Sequence, residues 1–462
     1  MNQVNDKAIV DGLLTHCRIL TLDDVERVFD PGALAIQDGR IAALGPEQEI
    51  KSQFSSNNTW DAGGKLVLPG LINTHAHLFQ IFLRGIGKDL PLMDWLSAAI
   101  LPNTPQLEPE DCYLAAMVGC MEAVRTGTTT LLDYMYVTFN PEFTRAVVRA
   151  FSDLGIRGII GRGISDHKTF PDGSYSHNYQ SIENTLSSMD SLRTFCQDYP
   201  LVHAVLAPPA LWRLTRECLI EIGRYSREHD ILVTLHTSET TMSEKYTLEN
   251  YGLRPFPFLS EIGLLNDKFL GVHCVKLDAQ DIALIAEANA SVSHNPAANM
   301  VLASGVSPIP ELLARGVSVG LATDGAASND SQSIIEAMKL SALLQKVHHL
   351  DASILGAKDV LRMATSLGAK AIHMQDKIGT LEPGKEADLI ILDMLKPNTT
   401  PCHDPISSLV YSGSTANVDS VVVNGKFILQ EGRFTNVDED AILKRASSRA
   451  RDLLERAQKN PH

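Results

Sequence analysis

Cysteine is scarce, with seven in 462 residues. They stand at positions 17, 112, 120, 196, 218, 274 and 402, and no two form a C-x-x-C pair. A disulfide framework and a cysteine-type zinc site are therefore not expected, and a reducing compartment fits better. Positive charge is also in deficit: Lys and Arg number 40 against 55 Asp and Glu, a net charge of −15. Such a chain is poorly suited to general nucleic-acid binding or to docking on anionic membranes. No apolar run approaches ~18 residues, so no transmembrane helix is expected. The opening MNQVNDKAIVDG has no basic segment leading into an apolar one. No secretory leader is expected, and the expected location is cytoplasmic. What is present is ordinary for a globular protein: 44% hydrophobic and 21% charged residues. That supports a large core and excludes disorder as the main state.

The first 65 or so residues read as short strands and turns. Ala33–Gln37, the pair Asp38-Gly39 and Arg40–Leu44 form a hairpin signal. From there to about residue 375, apolar β-type runs alternate with stretches of helical spacing. Eight strand candidates stand out: Gly70–Thr74, Thr128–Leu132, Arg157–Gly161, Val202–Ala207, Leu232–Leu235, Leu270–Val272, Ser291–Ser293 and Ser318–Ala322. Eight such units argue for an α/β fold of the (β/α)8 TIM-barrel type. Strands return at Ala387–Leu392 and Ser420–Val423, with Asn424-Gly425 as a second hairpin turn, and 439–458 has a helical pattern. The expected organisation is a catalytic barrel over 66–375. A composite β-sandwich domain would be built from both chain ends, 1–65 and 376–462.

The sharpest local feature is Asn73-Thr74-His75-Ala76-His77. Two histidines two apart on a strand share a face. Alone, such a pair is as readily a surface feature. Three further groups each end a strand candidate: His236, His273 and Asp324. Barrel enzymes keep their chemistry at strand ends. Imidazole nitrogens and a carboxylate suit a borderline divalent ion such as Zn2+ or Fe2+. Such an ion lowers the pKa of a bound water. Glu239 follows His236 by three residues; it reads as a proton shuttle, with a helix-start carboxylate as the plainer alternative.

Four segments match the amidohydrolase superfamily in order and spacing: Pro69–His77, His236–Glu239, Gly271–His273 and Ala322–Asp324. The segment Ile378–Leu389 resembles that family's return to its β domain. The closest branch resembles the ATZ/TRZ group, which holds S-adenosylhomocysteine/methylthioadenosine deaminases, other heterocycle deaminases and triazine hydrolases. The resemblance implies that His75, His77, His236 and Asp324 hold one divalent metal ion, Zn2+ first and Fe2+ second. A second ion would need a Lys or Glu on the fourth strand, which has neither; His203 there reads as structural. Catalytic roles are implied for Glu239, which moves protons, for His273, which positions the attacking water, and for Asp324.

Substrate contacts are implied for Asp94, Trp95, Arg162, His294 and Ser328. Rim packing is the alternative for Trp95 and a buried structural histidine for His294. Arg162, His167 and His177 lie around the loop after the third strand, where exposed positions are the simpler reading. Asp94 stands where the branch's nucleoside deaminases carry a Glu. Pro208-Pro209 stands where they carry Pro-His, a pattern closer to triazine hydrolases. The expected activity is hydrolytic deamination of an amino-substituted nitrogen heterocycle, such as an adenosine-type nucleoside, purine, pterin or aminotriazine. Displacement of chloride, alkylamine or methylthio from a triazine is the alternative, and a non-catalytic scaffold the remote one. The expected partner is a small-molecule heterocyclic substrate, and the branch implies a homo-oligomer.

Overall fold

The structure, a computed structural model, describes residues 7–168 and 178–460. The alternating pattern resolves into eight parallel strands: β1 (Leu71–His77), β2 (Thr128–Met135), β3 (Arg157–Gly163), β4 (Val202–Ala207), β5 (Val233–Thr237), β6 (Phe269–His273), β7 (Ser291–His294) and β8 (Ser318–Leu321). Each pairs with the next. Just past β8, Asp324–Gly325 pairs in parallel with β1, setting Asp324 opposite Ala76, and the barrel closes. Every residue of β1, β2 and β3 is buried. That follows from the architecture: helices cover the outer face and side chains fill the inside. The interior is tight. A Cβ on Gly320 of β8 would come within 2.4 Å of Thr74 Cγ2 on β1.

The covering helices form for local reasons. Pro141–Leu154 starts at Asn140, whose side chain accepts from the Glu142 amide at 2.9 Å. Phe143, Val147, Phe151 and Leu154 recur at helical spacing and are buried. Each such burial stabilises by about 1.5–3 kcal/mol. The helix stops at Gly155, whose φ of 80° suits glycine.

Nine short strands from the two chain ends share one further sheet. Both expected hairpins are present, with Gln37 paired to Arg40 and Val423 to Lys426. Leu66–Pro69 pairs antiparallel with Leu389–Leu392, joining the two ends. That strand thus lies in this sheet, although the sequence reading began the barrel at residue 66. The last helix, Glu439–Lys459, also differs from expectation. It lies on the barrel helix Pro109–Arg125, where Arg449 Nε donates to Asp111 Oδ1 at 2.8 Å and Arg456 pairs with the same carboxylate. The reason is charge. Asp111 is buried, and a buried carboxylate demands partners that the helical pattern alone does not reveal.

Beneath the barrel, Arg157 at the start of β3 bridges to the second sheet. Its Nε lies 2.8 Å from Asp388 Oδ2 and its Nη2 3.1 Å from Asp388 Oδ1. All seven cysteines are free thiols, six of them buried. Among the described residues, no helix is long and apolar enough to cross a membrane.

Candidate active site

The upper ends of β1, β5, β6 and the closing segment after β8 converge. One ligand atom each from His75, His77, His236 and Asp324 lies within 4.8 Å of the others. Asp324 Oδ1 is 3.3 Å from His75 Nε2 and 3.2 Å from His77 Nε2. His77 Nε2 and His236 Nε2 are 3.3 Å apart. Two rings are set by backbone carbonyls. His77 Nδ1–H donates to Tyr134 O at 2.7 Å, and His236 Nδ1–H donates to Pro209 O at 2.8 Å. In that tautomer each Nε2 presents a lone pair to the centre. His75 is fully buried, and neither of its nitrogens has a hydrogen-bond partner. Burial without a partner is costly, and four inward ligands with one such orphan fit a divalent ion.

Electrostatics agree with that donor set. Burial pushes His75 down to about 3, so the ring is neutral and free to ligate. Burial works to raise the Asp324 carboxyl. The His75 and His77 rings aimed at it outweigh this and hold it well below the usual carboxylate range. The backbone is bent to reach these positions, with φ of 70° at His273, 62° at Asp324 and 52° at Ser238. Left-handed non-glycine residues cost about 1–3 kcal/mol each and concentrate at functional sites. β1 is fixed against the β8 end by Asn73, whose Nδ2 donates to Thr323 Oγ1 at 2.7 Å.

Beside the cluster, Glu239 Oε2 lies 3.8 Å from His273 Nε2. Ser304 Oγ donates to Glu239 Oε1 at 3.3 Å. His273 Nδ1–H donates to Asn299 Oδ1 at 2.8 Å. Burial raises the Glu239 carboxyl above its usual value, a setting suited to a group that takes up and returns a proton.

A cavity of about 1020 Å³, counting its open mouth, sits over this constellation. His77, His236, His273, Asp324 and Glu239 line its floor, and Leu92, Trp95, Leu96, Ile100, Met242 and Leu302 line an apolar wall. Six of the sequence-predicted residues, Trp95 among them, thus border one cavity, with His75 completing the cluster beneath.

The predicted substrate contacts divide. Trp95 lines the cavity, and its Nε1–H donates to Ala327 O at 3.1 Å. Ser328 donates to Asp324 Oδ2 at 3.0 Å, which makes it a support for that carboxylate. Asp94 is exposed and stands outside the cavity lining. His294 is buried, lines no part of the cavity, and has no hydrogen-bond partner on either nitrogen. Arg162 is buried rather than exposed. Its guanidinium is spent on Gly163 O, Gln180 and Ser188, tying β3 to the following loop and helix. His167 is half-buried off the cavity, and His177 lies outside the described residues.

Sequence reasoning missed Asn299, Ser304, Tyr136, Gln80, Trp212 and Arg213. Tyr136 and Gln80 both line the cavity, and Gln80 Nε2 donates to the Tyr136 hydroxyl at 3.1 Å. The position of Asn299 and Ser304 soon after the end of β7 was the available signal.

The fold and site together define a class: the chain matches the Amidohydrolase family over residues 66–428 and belongs to it. It is 39% identical over 443 residues to a 5-methylthioadenosine/S-adenosylhomocysteine deaminase of Syntrophobacter fumaroxidans, covering 96% of this chain and 98% of that one. Among solved structures, a zinc-bound adenosine deaminase from Xanthomonas campestris superposes with a TM-score of 0.90. It is 29% identical, covering 98% of this chain and 100% of the other. A triazine hydrolase variant superposes with a TM-score of 0.86 at 25% identity, covering 95% and 99%.

Proposed function

We propose that this amidohydrolase is a hydrolytic deaminase of adenosine-type nucleosides, releasing ammonia from the amino-substituted ring carbon. The observation that carries the reading is the Glu239–His273 pair at 3.8 Å beside the His75/His77/His236/Asp324 cluster on one cavity floor. Those four residues would hold a divalent ion, with zinc preferred because the similar Xanthomonas adenosine deaminase binds it. When bound, the ion supplies a water poised to lose a proton near neutral pH.

Glu239 takes the proton of the attacking water and delivers it to a ring nitrogen as the carbon becomes tetrahedral. The water's second proton, handed on by Asp324, protonates the departing amine, which leaves as ammonia. His273, held by Asn299, orients the attacking oxygen through Nε2. Asp324, held by Ser328 and the two histidines, is ionised before attack, accepts the water's second proton and gives it up again to the departing amine. The apolar wall with Trp95 excludes bulk water and holds the flat heterocycle.

Similarity to the methylthioadenosine-type and adenosine deaminases supports a nucleoside over a triazine. The Pro208-Pro209 pattern favours the triazine alternative. Here Pro209 lines the cavity and holds His236 through its carbonyl. An ammonia-release screen over adenosine-type nucleosides, oxidised purines, pterins and aminotriazines decides between them. Turnover of the nucleosides is expected. Chloride or alkylamine release from triazines, with no ammonia from any nucleoside, would overturn the reading.

A further inference from the structure

The carbonyls that turn His77 and His236 inward belong to two separate segments, Tyr134 on β2 and Pro209 after β4. One side chain joins those segments. Tyr134 is fully buried inside the barrel. Its ring stands edge-on to three rings of the cluster, with centroid distances of 4.9 Å to His75, 5.4 Å to His77 and 4.5 Å to His236. Its hydroxyl reaches past them. It donates to Pro208 O, and Thr234 O lies 3.1 Å away. Pro208 immediately precedes Pro209, and Thr234 stands two residues before His236 on β5. Burial holds the phenol well above its usual pKa, against the pull of the His236 backbone amide, so it keeps its proton and remains a donor.

Tyr134 therefore acts on two imidazoles at once. Its backbone oxygen fixes Nδ1 of His77. Its hydroxyl anchors the Pro208 carbonyl, one peptide away from the carbonyl that fixes Nδ1 of His236. The anchor matters because residues 208–210 lie beyond the end of β4, and neither proline has an amide hydrogen with which to hold the segment. A carbonyl that orients a ligand from such a segment is only as steady as its own anchor. A phenol that merely satisfies its own hydroxyl in the core would affect stability and nothing else.

We infer that Tyr134 is a positioning residue for the metal centre, tying the orientation of His77 to that of His236 through one side chain. That role rests on the reading that His75, His77, His236 and Asp324 hold a divalent ion. Tyr134→Phe removes the hydroxyl and leaves the ring. In the full chain, stripped of metal and titrated with zinc against a chromophoric chelator, this variant is expected to bind roughly 10–100-fold more weakly than wild type, the usual worth of a group that orients a ligand. Loaded with Co2+ instead, it is expected to show an altered visible spectrum, because that spectrum reports ligand geometry. Ser226→Ala removes a buried hydroxyl of the same kind, one that donates to Ile231 O below β5, and is expected to keep both properties. If Tyr134→Phe does not fold, Pro209→Gly tests the link from the loop side, at a half-buried position where the carbonyl stays and its fixed φ is lost. The same two changes are expected there, and wild-type values there overturn the proposal. Wild-type affinity and spectrum in Tyr134→Phe overturn it while leaving the metal reading intact. Equal weakening in Ser226→Ala does the same, because it traces the loss to general destabilisation. A wild-type protein that takes up no zinc overturns the metal reading, and the role of Tyr134 with it.

Discussion

The two ends of the barrel treat buried charge in opposite ways. At the lower end, Arg157 and Asp388 face each other through two hydrogen bonds, and Asp388 Oδ1 also accepts from the Asn424 amide at 2.8 Å. Each charge there is answered by a partner of the chain itself. At the upper end, neither His75 nitrogen makes a hydrogen bond, three more ligands point at one spot, and Glu239 is held above its usual pKa by burial. Both ends take charged or ligating groups largely out of water. The difference is satisfaction: one end has its hydrogen-bonding capacity closed, and the other keeps it turned inward for a ligand. Closed capacity holds domains together, and open capacity does chemistry.

The largest effect that tests this contrast is at Glu239. Glu239→Gln keeps the shape but cannot carry the proton. Turnover is expected to fall by at least ~10²–10⁴-fold, the usual worth of general acid–base catalysis. Metal content by elemental analysis and the thermal midpoint should hold. The mirror experiment is Arg157→Ala at the lower end. Removing one partner of a buried pair costs about 3–5 kcal/mol, because the other charge is left stranded. Denaturant unfolding should show that loss, while kcat per folded molecule stays near wild type. A variant at either end with the other end's signature would break the comparison.

The acid side of the pH profile sharpens it further. Glu239 must be ionised to accept a proton, and its pKa is raised by burial. Activity is therefore present above that raised value and lost as pH falls through it. The acid limb of kcat/KM is expected above the ordinary glutamate value of 4.5. Metal content measured at each pH separates this limb from loss of the ion.

How much of this was readable from residues alone depends on range. The eight strands were legible because each is a short apolar run set between helical stretches. The metal cluster was legible because His75 and His77 share one face of β1 while His236 and Asp324 stand near the ends of other strands, so barrel topology alone brings them together. Contacts set by loops were not. Asp94 and Trp95 are neighbours in sequence, yet Trp95 turns into the cavity and Asp94 out to water. Arg162 was read as a loop residue because nothing in sequence shows Gln180 and Ser188 folding back onto it. The final helix announces its amphipathic pattern but not its address, which the buried Asp111 decides.

The smallest effect concerns Asn299, where the upper end borrows the lower end's logic. Its carbonyl oxygen gives His273 the one partner that fixes which nitrogen carries the proton, and Nε2 is thereby turned toward Glu239. Asn299→Ala removes that partner and lets the ring rotate or change tautomer. The substrate pocket is untouched, since Asn299 does not line it. The expected result is therefore a split: kcat falls roughly 10-fold, about 1.4 kcal/mol of transition-state stabilisation, while KM holds. Asn299→Asp, which also offers an acceptor to Nδ1–H, should recover part of the loss. Equal falls in kcat for the alanine and aspartate variants would show that Asn299 serves packing alone and that His273 keeps its orientation without it.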